Sequence, residues 1–149
     1  MNSIERFIDN NDGTISDLES NLTWAKEDSW QAEQKWVTWD EAMEHAQNLS
    51  GIKFAGHKDW RLPTCDEAKT LFDPAWENTD KYDAKIGLNP IFPPGPLPTI
   101  WAHEAMIGNE GFILDLRNGE IRSLYKSKSG RMAARPVRET EKIIPLSER

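Results

Sequence analysis

Apolar and polar residues alternate near the N-terminus in the way that strands with one buried face require. Residues 6–8, 14–18 and 21–25 follow this pattern, and the run 9–13 between the first two is rich in Asp, Asn and Gly, which favour turns. The sequence therefore predicts an N-terminal β-hairpin. The polar stretch 27–35, which follows it, predicts a loop.

Two stretches in the middle of the chain change to helical spacing, and each begins with a capping box. The run 38–41, Thr-Trp-Asp-Glu, precedes apolar residues that predict a first helix over residues 39–49. Thr64 and Glu67 form the second box, which predicts a helix over residues 65–72. Because both helices fall in the first half of the chain, the pattern indicates an α+β fold with segregated helices.

Residues 73–99 predict a long proline-rich insertion. Five prolines between Pro90 and Pro98 fix the backbone and remove amide donors, which excludes a helix or a central strand there. Long ordered loops of this kind either carry a function or cover a core.

The C-terminal third returns to strand patterns and predicts an antiparallel meander. Asn118-Gly119 is the strongest hairpin signal in the chain. Residues 139–149 predict a charged tail with one apolar patch, so that residues 1–138 form a single domain. The predicted strands are 100–102, 111–116, 120–125 and a last strand over 131–137.

Composition limits the classes of protein that the chain can belong to. Its 149 residues suffice for one domain with a real core, and seven tryptophans predict an irregular core held together by large aromatic rings. A single cysteine, Cys65, excludes an internal disulfide. No apolar run approaches the roughly 18 residues of a membrane span, so membrane insertion is not expected.

The net charge of −7 argues against a nucleic-acid binder, but the charge is unevenly distributed. Between Arg117 and Arg138 seven basic residues accompany one acid, Glu120, for a local charge of +6. Cations on adjacent strands can hold sulfate, phosphate or carboxylate groups. The alternative is a set of ordinary surface ion pairs that offset the acidic remainder. The candidate ligand-binding residues are Arg117, Arg122, Lys126, Lys128 and Arg131.

The stretch 56–64, Gly-His-Lys-Asp-Trp-Arg-Leu-Pro-Thr, joins the two predicted helices. Its proline disfavours helix at the residue before it, which indicates a junction between two elements. We expect Trp60 to fill the core and Arg61 to satisfy carbonyls or an acid such as Asp59 or Asp66. A binding role for Trp60 and Arg61 is the alternative.

Four separated stretches of the chain resemble motifs of one bacterial family and follow each other in the same order. The stretches are 7–24, 38–42, 59–67 and 134–138, and the family is the Lcl C-terminal domain. The resemblance covers about residues 6–138. It implies a fold similar to that of C-type lectins and of the formylglycine-generating enzyme. The fold-defining residues are Trp39, Asp59, Trp60, Arg61, Pro63 and Trp101.

The resemblance leaves three readings of function. The name-giving member of the family is an adhesin that binds sulfated glycosaminoglycans, which implies an anionic-glycan-binding domain. The chain shows no signal-peptide pattern, so we expect a cytoplasmic location, or the cell envelope or exterior after processing. A cytoplasmic version favours a non-catalytic module that binds protein, as an accessory subunit of a larger bacterial assembly.

The third reading, a metal-dependent oxidoreductase, finds little support. Formylglycine-generating enzymes hold copper with two cysteines, and this chain has only Cys65, which we expect to be an inert, buried or half-buried thiol. His45, His57 and His103 match no compact metal pattern, and His45 is expected to be half-exposed at the surface. We therefore predict no metal, no cofactor and no catalytic residue.

Overall fold

The computed structural model describes residues 6–106 and 108–140 of the chain. Within these ranges the protein has three α-helices and ten strands in an α+β arrangement, which confirms the predicted class. Eight of the strands form two four-stranded sheets, and the remaining two form a small sheet inside the insertion.

The first sheet contains the N-terminal strands and the last strand of the chain. Its order is β1-β2-β3-β10, and every neighbouring pair is antiparallel. The predicted hairpin is confirmed and is extended by β3 into a three-stranded meander. The strands are β1 (Phe7–Asp9), β2 (Thr14–Asp17), β3 (Leu22–Ala25) and β10 (Val137–Glu139).

Trp24 lies at the centre of this sheet. It pairs with Ile15 on one side and with Val137 on the other, and none of the three side chains is exposed. The first and last parts of the chain therefore share one core.

The second sheet has the order β8-β7-β6-β9. The predicted meander is confirmed for β6, β7 and β8, and β7 lies between the other two strands, as its apolar sequence predicts. Strand β9, in contrast, runs parallel to β6. The strands are β6 (Thr99–Ala105), β7 (Glu110–Asp115), β8 (Ile121–Tyr125) and β9 (Met132–Ala133).

The prediction of one last strand over residues 131–137 is wrong. The chain leaves the second sheet after β9 and enters the first sheet as β10. Pro136 lies at this crossing, where it donates no hydrogen bond and its carbonyl accepts one from the N–H of Ala25 at 2.9 Å. The crossing joins the two sheets.

The turn between β7 and β8 requires glycine at position 119. Gly119 has a φ of 77°, which is in the left-handed region. A Cβ at this position would also lie 2.6 Å from a ring carbon of Phe72. The predicted Asn118-Gly119 turn is therefore confirmed, and it packs against the segment after the last helix.

The helices are α1 (Ser29–Glu33), α2 (Trp39–Gly51) and α3 (Cys65–Lys69). The predicted loop over 27–35 is wrong, because Asp28 caps α1: its carboxylate accepts the N–H of Gln31 at 2.8 Å. Helix α2 includes Gly51 rather than ending before it, and α3 ends earlier than predicted.

The insertion contributes to the core. It contains β4 (Asn78–Thr79) and β5 (Lys85–Ile86), which pair before the proline cluster at positions 90–98. Four of its apolar side chains have no exposed surface and belong to the same cluster as Trp24. The four are Ile86, Leu88, Phe92 and Leu97.

Of the predicted tail, Glu139 ends β10 and the N–H of Thr140 donates to the carbonyl of Asn21 at 3.0 Å. The remaining residues, 141–149, lie outside the described part of the chain.

Candidate functional site

The five basic residues predicted to bind a ligand do not converge on one surface with free charges. Arg117 and Arg122 both bind the buried carboxylate of Asp115, at 3.0 Å each. Burial of Asp115 opposes ionisation, but the hydrogen bonds from the Arg117 side chain and backbone and from Arg122 hold its pKa below the usual value. Both arginines therefore neutralise a charge of the protein itself.

Lys126 and Arg131 lie against different aromatic rings. The ammonium of Lys126 is 4.5 Å from the ring centre of Trp39, and the guanidinium of Arg131 is 5.0 Å from that of Tyr82. Lys128 is exposed on the turn after β8. The structure thus separates Arg131, beside the insertion, from the residues around β8.

The side chains of the central junction are bonded to other groups of the protein. Trp60 is 4% exposed, and its ring N–H donates to the carbonyl of Phe54 at 2.9 Å, which agrees with the core assignment. Arg61 donates to the carbonyl of Leu62 at 3.3 Å and makes two bonds to Glu67, at 2.6 and 2.9 Å, so its partners are of the expected kinds although the acid is neither Asp59 nor Asp66. The carboxylate of Glu67 thus serves both the capping box and the arginine.

The carboxylate of Asp59 has a different partner. It accepts a hydrogen bond of 2.7 Å from the buried Arg138, which lowers the pKa of Asp59. The junction is therefore tied to β10.

Two fold-defining tryptophans link helix α2 to the second sheet. The ring N–H of Trp39 donates to the carbonyl of Ala102 at 3.0 Å, and that of Trp101 donates to Val37 at 2.9 Å. Pro63 is buried, and its carbonyl accepts the N–H of His103 at 2.6 Å. These contacts position elements and present no group for a ligand.

A row of alternating aromatic and cationic side chains crosses the surface between α1, the insertion and β9. The rings of Trp36 and Trp30 are 6.4 Å apart, and the ammonium of Lys81 lies 4.5 Å from Trp30 and 5.3 Å from Tyr82. Arg131 continues the row on Tyr82. We call these five residues the aromatic–cation row.

Two aromatic rings of the row are exposed to solvent. Trp36 is 46% exposed and Tyr82 is 41% exposed, although both are large rings that folding usually buries. Each cation lies within 6 Å of a ring centre, the range of a favourable cation–π interaction. The row therefore presents apolar faces and positive charge together.

Sequence reasoning included only Arg131 among candidate site residues and assigned the tryptophans to packing. Trp36 and Tyr82 lie in polar surroundings in the sequence, which was a signal for exposure. Their proximity depends on the path of the insertion, which no local pattern shows.

Open cavities also lie elsewhere on the described surface. One, of about 630 Å³, is lined by polar residues at the start of α2 and the end of β8, including Thr38, Asp40 and Lys126. Another, of about 530 Å³, is lined by Phe7, Trp76 and neighbouring residues of the insertion.

Burial changes the pKa of the Cys65 thiol and of the His45 imidazole. Burial, followed by the neighbouring Glu104, raises the pKa of the Cys65 thiol to about 11, so the thiolate is scarce at neutral pH. His45 is 9% exposed and not half-exposed as predicted, and burial lowers its pKa. In the ranges that the structure describes, no three His, Cys, Asp or Glu side chains cluster as a metal site requires.

Asp28 and Arg135 are both completely buried. Asp28 accepts the N–H of Leu97 at 2.8 Å in addition to capping α1, and Arg135 donates to the carbonyls of Ala25 and Lys26. Burial raises the pKa of Asp28 and lowers that of Arg135, while each charge partly stabilises the other. The pair connects α1, the insertion and the crossing between the sheets.

The model of the Lcl C-terminal domain family matches residues 13–138. The chain belongs to this family. The match includes the central junction, the insertion and the crossing before β10, so the Lcl C-terminal domain comprises most of the described fold.

A search among curated proteins gave no match to the chain. Within residues 6–106 and 108–140, no helix has both the length and the apolar content that crossing a bilayer requires.

Proposed function

We propose that this Lcl C-terminal domain is a non-catalytic module that binds another protein, as an accessory subunit of a larger assembly, through the aromatic–cation row. The observation that carries the proposal is the exposure of Trp36 and Tyr82 in a row that also contains two cations, both of which contact Tyr82. Trp, Tyr and Arg are the residue types that most often dominate binding energy at protein interfaces.

The anchoring of the row supports this role. The Asp80 carboxylate accepts the N–H groups of Tyr82 and Ala84 at 2.8 and 3.0 Å, and the N–H of Lys81 donates to Pro96 at 2.8 Å. These hydrogen bonds hold the loop that carries Lys81 and Tyr82 in place before a partner binds. Binding therefore loses little conformational entropy in this loop.

A non-catalytic role is supported by the use that the protein makes of its reactive groups. Arg61 and Glu67 are bound to each other, and the thiol of Cys65 is held protonated beside Glu104. A C-type-lectin-like arrangement is part of the proposal, and an antiparallel and a mixed four-stranded sheet joined by a late crossing are compatible with it.

An anionic glycan is the second candidate ligand. Lys81 and Arg131 flank Tyr82, and cations beside an exposed ring can hold the acidic groups of a sugar while the ring contacts its apolar face. Salt distinguishes the two ligands, because charge-driven binding weakens as ionic strength rises whereas an apolar contact persists.

The test compares the wild-type domain with Trp36→Ala/Tyr82→Ala in affinity capture from a lysate of the source cells, at low and high salt. The matched control is Ile52→Ala, since Ile52 is 72% exposed and outside the row. We expect one protein to be retained at both salt concentrations by the wild type and the control, and lost by the double variant.

Equal retention by all three forms would refute the row as the contact surface. Salt-sensitive retention on heparin that only the double variant loses, without a protein partner, would replace the protein by the glycan.

A further inference from the structure

Among the residues that the structure describes, strand β8 pairs only with β7 and so forms an edge of the second sheet. The N–H of Lys126 donates to Asn109 at 2.7 Å and that of Asp115 donates to Glu120 at 2.9 Å, which fixes the alternation of this antiparallel ladder. The residues whose backbone groups point away from β7 are therefore Ile121, Ser123 and Tyr125.

These outward groups are almost all available. Within the described ranges, the one backbone bond that they make is from the N–H of Lys128 to the carbonyl of Tyr125, at 3.0 Å. Three N–H groups and two carbonyls remain along the edge. Such an unpaired edge is a template for another strand.

The side chains along the β8 edge determine which kind of strand could pair with it. Because alternate residues of a strand share a face, Arg122, Leu124 and Lys126 lie on the same side of the sheet. Arg122 is exposed and Leu124 is half-buried, so a cation, an apolar residue and a second cation follow one another at two-residue intervals.

We propose that the β8 edge takes up an extended segment of a partner protein as an additional strand, with acidic residues opposite Arg122 and Lys126 and an apolar residue opposite Leu124. Asp115 and Glu120 balance the charges of Arg117 and Arg122, so Lys126 and Lys128 leave two excess positive charges at the end of β8, which favours an acidic segment. A second copy of β8 is disfavoured, since it would place like charges opposite each other.

This inference rests on the proposed role in protein binding but uses a different surface. The row involves the insertion and β9, whereas the edge involves β8 alone. Trp36→Ala/Tyr82→Ala should therefore leave binding at the edge unchanged, and a failure of either proposal can be distinguished from a failure of the other.

The probe is a blocked seven-residue peptide of threonines with glutamate at the second and sixth positions and valine at the fourth. In amide-exchange and chemical-shift measurements by NMR, we expect binding to slow exchange at Ile121, Ser123 and Tyr125. The controls are a peptide with lysine in place of glutamate and two peptides methylated on alternate backbone nitrogens, one for each edge of the added strand. The lysine peptide and the peptide methylated on the edge that faces β8 should bind about tenfold more weakly or not at all, whereas methylation of the outer edge should leave binding unchanged.

The matched variants of the protein are Ser123→Pro and Ser123→Ala. The Ser123 N–H points away from β7, so proline removes an edge donor without removing a bond of the existing ladder. We expect Ser123→Pro to abolish peptide binding and Ser123→Ala to retain it. Where Ser123→Pro does not fold, the methylated peptides decide the question.

Equal binding of the glutamate peptide and its methylated forms would overturn the proposal, because only the charge would then matter. Absence of binding to the wild-type domain would overturn it as well, and would leave the basic residues as a device against edge-to-edge association.

Discussion

Trp60 shows how one side chain closes the junction between α2 and α3. Its ring contacts Phe54 edge-to-face, with 5.6 Å between ring centres, and its N–H donates to the Phe54 carbonyl. The backbone N–H of Trp60 is satisfied by the hydroxyl of Ser50 at 2.9 Å. The residue is therefore held by apolar contact and by hydrogen bonds at once.

We expect Trp60→Ala to lower the free energy of unfolding by about 3–5 kcal/mol, because a large buried ring is removed and its cavity collapses only partly. Urea denaturation followed by circular dichroism measures the change. Trp36→Ala is the control, since Trp36 is 46% exposed, and it should change stability far less. Similar losses for both variants would contradict the core assignment.

His45 gives stability a dependence on pH. Its Nδ1 is 3.8 Å from a carboxylate oxygen of Glu33, which favours the charged form, but burial outweighs this attraction and lowers the pKa of His45. The unfolded chain then binds the proton more readily than the folded protein, so His45 reduces stability as pH falls below about 6.5.

We expect the urea midpoint of the wild type to fall more steeply between pH 7.5 and pH 5.5 than that of His45→Gln, which lacks the titrating group. The comparison is made on the difference between the two proteins, so that groups common to both cancel. Parallel profiles would show that the burial of His45 does not affect its titration.

The residue scale also shows why side-chain partners are hard to derive from sequence. The burial of Trp60 follows from its type and from the junction around it. The choice of Glu67 by Arg61 does not, because Asp59 and Asp66 are nearer to Arg61 in sequence and the path of the backbone decides which carboxylate its guanidinium reaches.

At the scale of elements, capping residues were the most informative local signal. The boxes beginning at Thr38 and Thr64 predicted α2 and α3, and both are present with the expected bonds. A third box, Asp28 to Gln31, begins α1 and was overlooked because only five helical residues follow it. Helical periodicity cannot be recognised over so short a length.

The buried charges of Asp28 and Arg135 fasten three elements to one another. We expect Arg135→Met to cost about 3–5 kcal/mol, because the carboxylate of Asp28 would remain buried without its counter-charge. Lys58→Met, at an exposed position, is the control and should change stability little. The measurement is the urea unfolding curve of each variant.

A double-mutant cycle isolates the interaction between the two groups. In Asp28→Asn/Arg135→Met neither charge remains, so the loss of stability should be smaller than the sum of the two single losses. Strictly additive losses would show that the two charges do not interact.

For the whole molecule, sequence patterns predicted the class of fold, the N-terminal hairpin and the β7–β8 hairpin. They did not predict that the last predicted strand divides between two sheets, because its apolar residues suit either sheet and Pro136 only marks the break. Sequence patterns also did not predict the aromatic–cation row, because its residues are spread between positions 30 and 131 and lie together only in the folded chain.

The insertion is the part of the molecule for which the structure changes the interpretation most. Phe92 has no exposed surface and lies edge-to-face on Phe7, with 5.9 Å between ring centres. Its ring also lies 5.1 Å from the guanidinium of Arg135. The insertion therefore completes the core that the first strand and the final crossing begin.

If the insertion belongs to the core, its unfolding cannot be separated from that of the sheets. We expect Phe92→Ala to lower the free energy of unfolding by about 3–5 kcal/mol, with tryptophan fluorescence and circular dichroism reporting one coincident transition. Glu77→Ala, at an exposed position of the same insertion, should stay within about 0.5 kcal/mol of the wild type. An unchanged midpoint for Phe92→Ala, or two separate transitions, would mean that the insertion is only a cover, and the row that it carries would then lack the rigid support on which the proposed binding depends.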